Sequence, residues 1–503
     1  MRRHFFRGNP AVRVAACVGA LLSGVINAQA FILSDANFIP WTTTASGTRS
    51  EHGRPVTLTW SIAGDGTLTP GELNTDPLAA SDLVSFLDGI FGGNPIGANP
   101  SDLTQRPWFD EISQPFDRWE EISGIDYVYE PNDDNRAVAS IAGQLGVRGD
   151  VRLAGRDIDG VGGTLAFNYL PTSTVAGGDM VIDTSEVSFY SNSTSGFRPL
   201  RNTVAHELGH GLNLEHVVSS TDGLLLEPTI NNSFDGPQLD EIRAAHFFYG
   251  DFNEKSFGGL GNDVAARATD LGSLTFGTTT TVGSDANVPT QAISGTATDF
   301  VSISNIDDTD FFSFSVPAAG LLDATLTPLG GNFTQSAVGG TPSAFDANAR
   351  SDLSLAIFDS DQTTLLTTIN NGGLGQSDTL TDLSLLNAGQ YYARITGAAD
   401  TIQLYQLDLS INPISFQEAD FNLDSTVDSA DLTILRASLG NSDLGDTDAD
   451  GDTDGTDFLV WQRQFESSFA AVVRGATVPE PTAAVLLLAC VLAMSVSRPS
   501  RKT

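Results

Sequence analysis

Three of the six histidines in this 503-residue chain fall inside one short run, Val204-Ala205-His206-Glu207-Leu208-Gly209-His210-Gly211-Leu212-Asn213-Leu214-Glu215-His216. His206 and His210 stand four apart. On a helix they leave the same face one turn apart and reach two corners of a tetrahedral zinc ion. A catalytic zinc takes a third protein ligand and keeps its last corner open, and His216 is the candidate for that third place. Glu207, beside the first histidine, is placed to take a proton from water rather than to ligate. The chemistry expected of this set is metal-assisted hydrolysis.

The elements around the run must bring His216 back. A continuous helix would carry it almost three turns beyond His206, so the chain has to turn after His210. Gly211 can end the helix, and Asn213 is the non-glycine residue most tolerant of positive φ. Upstream, Val56 to Ile62 alternates like a strand, and Val151-Arg152-Leu153 and Met180-Val181-Ile182 read as short strands. Ile112, Phe116, Trp119 and Ile122 recur at helical spacing, with Pro115 expected to shorten or kink that helix. His52 and His246 read as ordinary surface or core histidines.

The histidine run resembles the zinc signature of the metzincins, and within them of the matrixins, with Asn213 where glycine is usual. The likeness extends over roughly residues 54–251. Gly160 to Ala166 is similar to the matrixin edge strand that receives substrate, and Gly178 to Asp183 to the strand after it. Leu225-Leu226-Glu227-Pro228-Thr229 stands at the Met-turn, and Asp240 to Gly250 at the closing helix. The resemblance implies zinc on His206, His210 and His216, Glu207 as general acid–base, and an extended substrate along Gly163, Leu165 and Ala166. Pro228 and its neighbours Thr229 and Ile230 would wall the pocket, favouring an apolar side chain just after the cut. The chain departs from the pattern in three ways. Leu226 replaces the methionine, which a similar apolar floor would tolerate. Phe167 and Val181 replace two structural-zinc histidines, so no second zinc is expected there; Asp159, Asp179, Asp183 and Glu186 are candidates for calcium instead. The domain also lacks the cysteine of a thiol latency switch, since the only two cysteines are Cys17 and Cys490.

A second constellation is duplicated within residues 416–470. Asp420, Asn422, Asp424, Thr426, Asp428 and Asp431 form one loop, and Asp446, Asp448, Asp450, Asp452, Asp454 and Asp457 the other. Calcium takes roughly six to eight oxygens, and side chains at alternate loop positions can wrap it. Gly451 meets the sharp turn at the sixth position, whereas Ser425 does not, so the first loop should bind more weakly. An amphipathic segment follows each loop. The pattern resembles type I dockerin repeats, which implies about two Ca2+ and a cohesin-like partner.

Composition bounds the rest. With 62 Asp+Glu against 25 Lys+Arg the net charge is −37, which excludes nucleic acid as a partner. Arg2, Arg3, Arg7 and Arg13, an apolar run from Val14 to Ile26 and Ala28-Gln29-Ala30 make residues 1–30 a signal peptide. Residues 259–412 carry short apolar runs in Thr/Ser/Gly/Asp surroundings, the mark of an all-β sandwich. The runs Asp307 to Val316 and Gly389 to Ile395 resemble the bacterial pre-peptidase C-terminal domain. Val478-Pro479-Glu480-Pro481, an apolar stretch and a basic tail make residues 478–503 resemble a PEP-CTERM sorting signal. That likeness implies transient membrane anchoring, an exosortase-type processing enzyme and a Gram-negative-type bacterium.

The sequence therefore predicts a multidomain chain: an α+β metzincin-like zinc domain over 31–255, a β-sandwich, and a small α-helical calcium-binding unit. Its expected function is that of a secreted or cell-surface zinc endopeptidase acting on internal bonds of extracellular proteins. The competing expectation is a catalytically degenerate surface-binding scaffold.

Overall fold

The computed structural model describes residues 3–7, 31, 40–49, 51–73, 75–171, 175–220, 223–413, 418–422, 426–440, 442, 444–447 and 450–473, with residues 3–7 and 466–473 by backbone alone. The chain divides into two compact units, Met1–Pro413 and Ile414–Thr503. Apart from residues 3–7, the expected leader lies outside the described residues, as do the 478–503 tail, Asp424 and Asp448. Among the described residues no helix is long and apolar enough to cross a membrane.

The first half of the larger unit is built on one sheet. Its strands are β1 (Arg3–Arg7), β2 (Val56–Ile62), β3 (Ile125–Tyr129), β4 (Val151–Arg156), β5 (Thr164–Tyr169) and β6 (Met180–Asp183), in the order β1-β5-β6-β4-β2-β3. Strands β3, β2, β4 and β6 run parallel, and β5 lies antiparallel to β6. Strand β1 pairs antiparallel with β5, from Arg3↔Tyr169 to Arg7↔Thr164. Strand β5 starts one residue later than Gly163, which sits in the preceding turn. There a Cβ would fall 2.1 Å from Asp159 Oδ1, so any larger residue would have to displace the Asp159 carboxylate.

Helix α1 (Phe109–Glu121) continues through Pro115, giving up one backbone bond, and buries Ile112, Phe116 and Trp119 as its spacing requires. Helix α2 (Arg198–Gly211) holds the first two histidines, and helix α3 (Leu239–Tyr249) closes the domain. The Trp119 indole donates to Ala205 O at 3.0 Å, locking α1 to α2. Between α2 and α3 lies a three-residue strand, β7 (Val217–Ser219).

The second half is the expected sandwich, with a core cluster of its own, while its Phe300, Leu329, Ile402 and Leu404 join the core of the first. Gly320–Leu329 alternates buried and half-buried residues along nearly its whole length, as a strand with one face on a core must. Outside the two main sheets, strands β8 (Asn332–Ala337) and β9 (Ser343–Asp346) form a hairpin, which pairs with β7 in the order β9-β8-β7.

Acidic side chains meet where the two halves join. Glu254, Asp263 and Asp308 bring carboxylate oxygens within 4.8 Å of one another, and Arg54 reaches Asp263 at 2.6 Å and Glu254 at 3.2 Å. Burial, then the charges of Asp308, Asp251 and Asp263, push the Glu254 carboxyl well above its ordinary range. The unfolded chain ionises near the ordinary value while the fold keeps its proton to higher pH. The native state therefore binds more protons and loses stability as pH rises from about 4.3. Glu254→Gln carries no such cost. In metal-free buffer its stability relative to the native chain should rise between pH 4 and pH 8, by at least about 1.4 kcal/mol, the worth of one pKa unit. Urea melts at the two pH values read this directly; a pH-independent difference would contradict it.

In the smaller unit, helices Ser429–Ser438 and Gly455–Val473 each follow one acidic loop. Asp431 accepts from the Phe421, Asn422 and Asp428 amides, and Asp457 from those of Thr447 and Asp454. The duplication seen in sequence is thus repeated in hydrogen bonding. Ala419, Val427, Leu435 and Trp461 form the core of this unit, and the Trp461 indole donates to Asp428 O at 3.1 Å.

Candidate metal centre

Helix α2 ends at Gly211, and its terminal carbonyls are each satisfied. Leu212 N donates to Leu208 O at 2.9 Å, Leu214 N to Gly209 O at 3.0 Å and Asn213 N to His210 O at 3.0 Å. Trp41 Nε1 donates to Gly211 O at 2.9 Å, and Tyr249 Oη to Leu212 O at 3.3 Å. This network, from three separate segments, fixes where the helix stops. The reversal falls on Asn213, at φ 80°, rather than on Gly211, which keeps helical geometry. Asn213→Val should cost about 1–2 kcal/mol through the left-handed backbone alone, whereas Asn213→Gly relieves that strain; chemical denaturation of the two variants ranks them.

The turn delivers the third imidazole. His216 Nε2 lies 3.1 Å from His206 Nε2 and 3.2 Å from His210 Nε2. The Nδ1 atoms of His206 and His210 each sit 2.7 Å from a carbonyl, Leu225 O and Leu214 O respectively. A carbonyl only accepts, so both Nδ1 atoms carry a proton, and in the neutral ring each Nε2 then presents its lone pair. Tetrahedral zinc with Zn–N bonds of about 2.0–2.1 Å needs nitrogens roughly 3.3 Å apart. The three residues fit that ion.

Glu207 is buried, and neither of its carboxylate oxygens has a hydrogen-bond partner among the described residues. Burial pushes its carboxyl well above the usual range; a cation among the imidazoles would pull it back down. Gly209 faces Leu226, whose Cδ2 would lie 2.9 Å from an added Cβ, so the leucine packs directly beneath the helix where methionine is usual. The backbone of Leu226 is bonded through both its amide and its carbonyl. Leu226 N donates to Glu241 Oε1 at 3.1 Å, and Val217 N donates to Leu226 O at 3.0 Å.

Other sequence-derived positions fall as follows. Leu165 and Ala166 lie on β5, and the Tyr190 hydroxyl donates to Leu165 O at 2.7 Å. Pro228 is half-buried just past the Leu226 turn. Phe167 and Val181 pack with Tyr169 and Ala176 in a small apolar cluster. Asp159 accepts from Thr164 N at 2.9 Å, and Glu186 from the Gly162 amide. Asp183 accepts from Ser185 N at 2.8 Å, and its second oxygen is buried without a hydrogen-bond partner among the described residues. Asp179 is occupied instead by the Ala139 and Arg152 amides, at 2.8 and 3.0 Å. His246 touches none of the three histidines. Its Nε2 lies 2.7 Å from Ile122 O and its Nδ1 3.0 Å from Ser302 Oγ. His52 packs on Phe247 and Phe248. Trp41 and Glu241, which hold the site from a distance, have no signal in sequence beyond the capping pattern Gln238-x-x-Glu241.

Residues 95–250 match the matrixin family, and residues 308–397 match the bacterial pre-peptidase C-terminal domain. The hatching enzyme of Paracentrotus lividus is 31% identical over 156 residues, which are 31% of this chain and 24% of that protein. The match thus spans about a quarter of that relative's own length. The pre-peptidase C-terminal domain of a Bacillus anthracis collagenase is 14% identical, covering 28% of this chain and 94% of that one at a TM-score of 0.17. A β-glucosidase from Paenibacillus barengoltzii, 14% identical, covers 47% and 19% at 0.15.

Proposed function

We propose that this chain, with its matrixin domain followed by a pre-peptidase C-terminal domain, is an exported zinc-dependent endopeptidase that hydrolyses internal peptide bonds of extracellular proteins. One observation carries the reading: three imidazole nitrogens converge at zinc-ligand spacing beside a buried carboxylate that has no hydrogen-bond partner among the described residues. Zinc on His206, His210 and His216 would supply a Lewis acid that polarises the scissile carbonyl and acidifies water.

The chain's own groups do the rest. The substrate lies extended along β5, whose edge takes an antiparallel strand, as β1 occupies it here. Its backbone passes Leu165 and Ala166, and the half-buried Pro228 borders the pocket after the cut. Glu207 takes the proton of the attacking water and returns it to the leaving nitrogen as the C–N bond breaks.

The C-terminal unit adds calcium loops. Asp420, Asn422, Thr426, Asp428 and Asp431 in one, and Asp446, Asp450, Asp452, Asp454 and Asp457 in the other, are the described members of the two ligand sets. They bind about two Ca2+ as a dockerin-like module open to a cohesin-like partner, and the 478–503 tail provides exosortase-dependent surface retention. What would favour the binding-scaffold reading is the pair of departures from the family pattern, Asn213 and Leu226. Each is accommodated, the one by its φ and the other by its packing on Gly209. The deciding experiment is cleavage of an unstructured protein by the zinc-loaded chain against its Glu207→Ala variant.

A further inference from the structure

His216 is the one zinc-site histidine that no helix holds. Strand β7 begins at the next residue and is three residues long, too short to keep its own geometry without neighbours. On one side Val217 N donates to Leu226 O at 3.0 Å and Ser219 N to Glu227 Oε1 at 2.7 Å. On the other it pairs with the sandwich hairpin: Ala337↔Val217, Ser336↔Val218 and Gln335↔Ser219, extended by Ser220 N donating to Thr334 O at 3.0 Å.

The hairpin is itself anchored to helix α3. Gln335 Nε2 donates to Asp240 Oδ2 at 2.8 Å in a buried contact. Asp240 also pairs with the fully buried Arg243 at 3.1 Å, and that guanidinium lies 5.1 Å over the Phe345 ring of β9. The two halves of the larger unit thus share a three-stranded sheet that ends beside a zinc-site histidine.

We infer that the β8–β9 hairpin of the sandwich is a working part of the metal centre: by pairing with β7 it fixes the backbone that aims His216, so Gln335 and Ser336 are positioning residues for a ligand in the other half of the unit. The inference rests on the zinc reading above. The physical reason is entropic. Two histidines are held by α2 at no further cost, but the third nitrogen must be ordered by whatever orders Val217 to Ser219. Remove the outer pairing and His216 samples positions from which it cannot ligate. Partners that orient a ligand are worth about 10- to 100-fold in metal affinity.

The register supplies a selective test. Because Ser220 reaches Thr334, the amides of Thr334 and Ser336 face β7, while those of Phe333 and Gln335 face β9. Ser336→Pro therefore removes an amide from the β7 ladder and leaves the β8–β9 ladder, which ends at Gln335↔Ser343. Gln335→Ala removes the anchor to Asp240 without touching any backbone. Both variants are made in the full chain. Zinc affinity is read by chelator competition, ligand geometry by the visible absorption of the Co2+-loaded protein, and folding by the melt of the metal-free form.

Ser336→Pro should bind zinc 10- to 100-fold more weakly with a changed cobalt spectrum, Gln335→Ala should follow in the same direction, and both should melt cooperatively. Native affinity and an unchanged spectrum in a folded Ser336→Pro chain would overturn the inference. If that variant does not fold, the same result in Gln335→Ala overturns it instead. A native chain that takes up neither zinc nor cobalt brings down the zinc reading itself, and an active native chain beside an unaltered variant leaves that reading standing while the hairpin's role falls.

Discussion

Glu207→Ala should lower kcat/KM on an unstructured protein substrate by about 10²- to 10⁴-fold, the usual worth of a positioned general base, while zinc stays at one ion per chain. That is roughly 3–5 kcal/mol of transition-state stabilisation. The structure makes the effect separable from folding. Neither Glu207 oxygen has a hydrogen-bond partner among the described residues, so truncation orphans no donor. Burial raises the carboxyl well above its ordinary range, so keeping it ionised costs stability and its removal should leave the metal-free melting temperature unchanged or higher. Glu207→Gln, of the same shape but unable to take a proton, should match the alanine variant in rate. KM should change little, since the carboxylate acts on water and not on the bound peptide. Native activity in either variant would end the general-base assignment.

How far the site was legible follows from where its determinants lie in the chain. His206, Glu207 and His210 are neighbours whose geometry the helix alone sets, and spacing gives it away. The reversal was also readable, because a helix cannot reach His216 and Asn213 is built for positive φ; it adopts 80°. The helix ends at Gly211, as expected, while the positive φ falls on Asn213; the room that Gly209 leaves for Leu226 has no signal in the spacing.

What spacing could not reveal are partners far off in sequence. Trp41 caps Gly211, Glu241 holds the Leu226 turn and Gln335 reaches Asp240. Alternation marked the sandwich strands, but no local pattern tells an edge hairpin which strand in another half it will meet. The acids at the junction have no local signature for the same reason: Glu254, Asp263 and Asp308 become a cluster only when the two halves pack. Local rules thus located the chemistry, and long-range packing decided how firmly it is held.

Removing the third imidazole tests that division most sharply. His216→Ala should reduce bound zinc from one ion per chain to a small fraction after dialysis, because two histidines on one helix leave two tetrahedral corners without protein ligands. The metal-free fold should survive. The carbonyls that end α2 are bonded to Trp41, Tyr249 and the turn itself, and Val217 still meets Leu226. Heating separates these outcomes without any activity assay. Zinc at about 1,000 times its dissociation constant stabilises a native state by about 4 kcal/mol, which in a domain of this size raises the melting temperature by roughly 8–16 °C. The native chain should show that rise and His216→Ala should not, although both melt alike once chelated. A variant that kept both its zinc and its thermal shift would mean the ion sits on a different set of ligands, and the 3.1 and 3.2 Å approaches of His216 to its neighbours would then be packing without coordination.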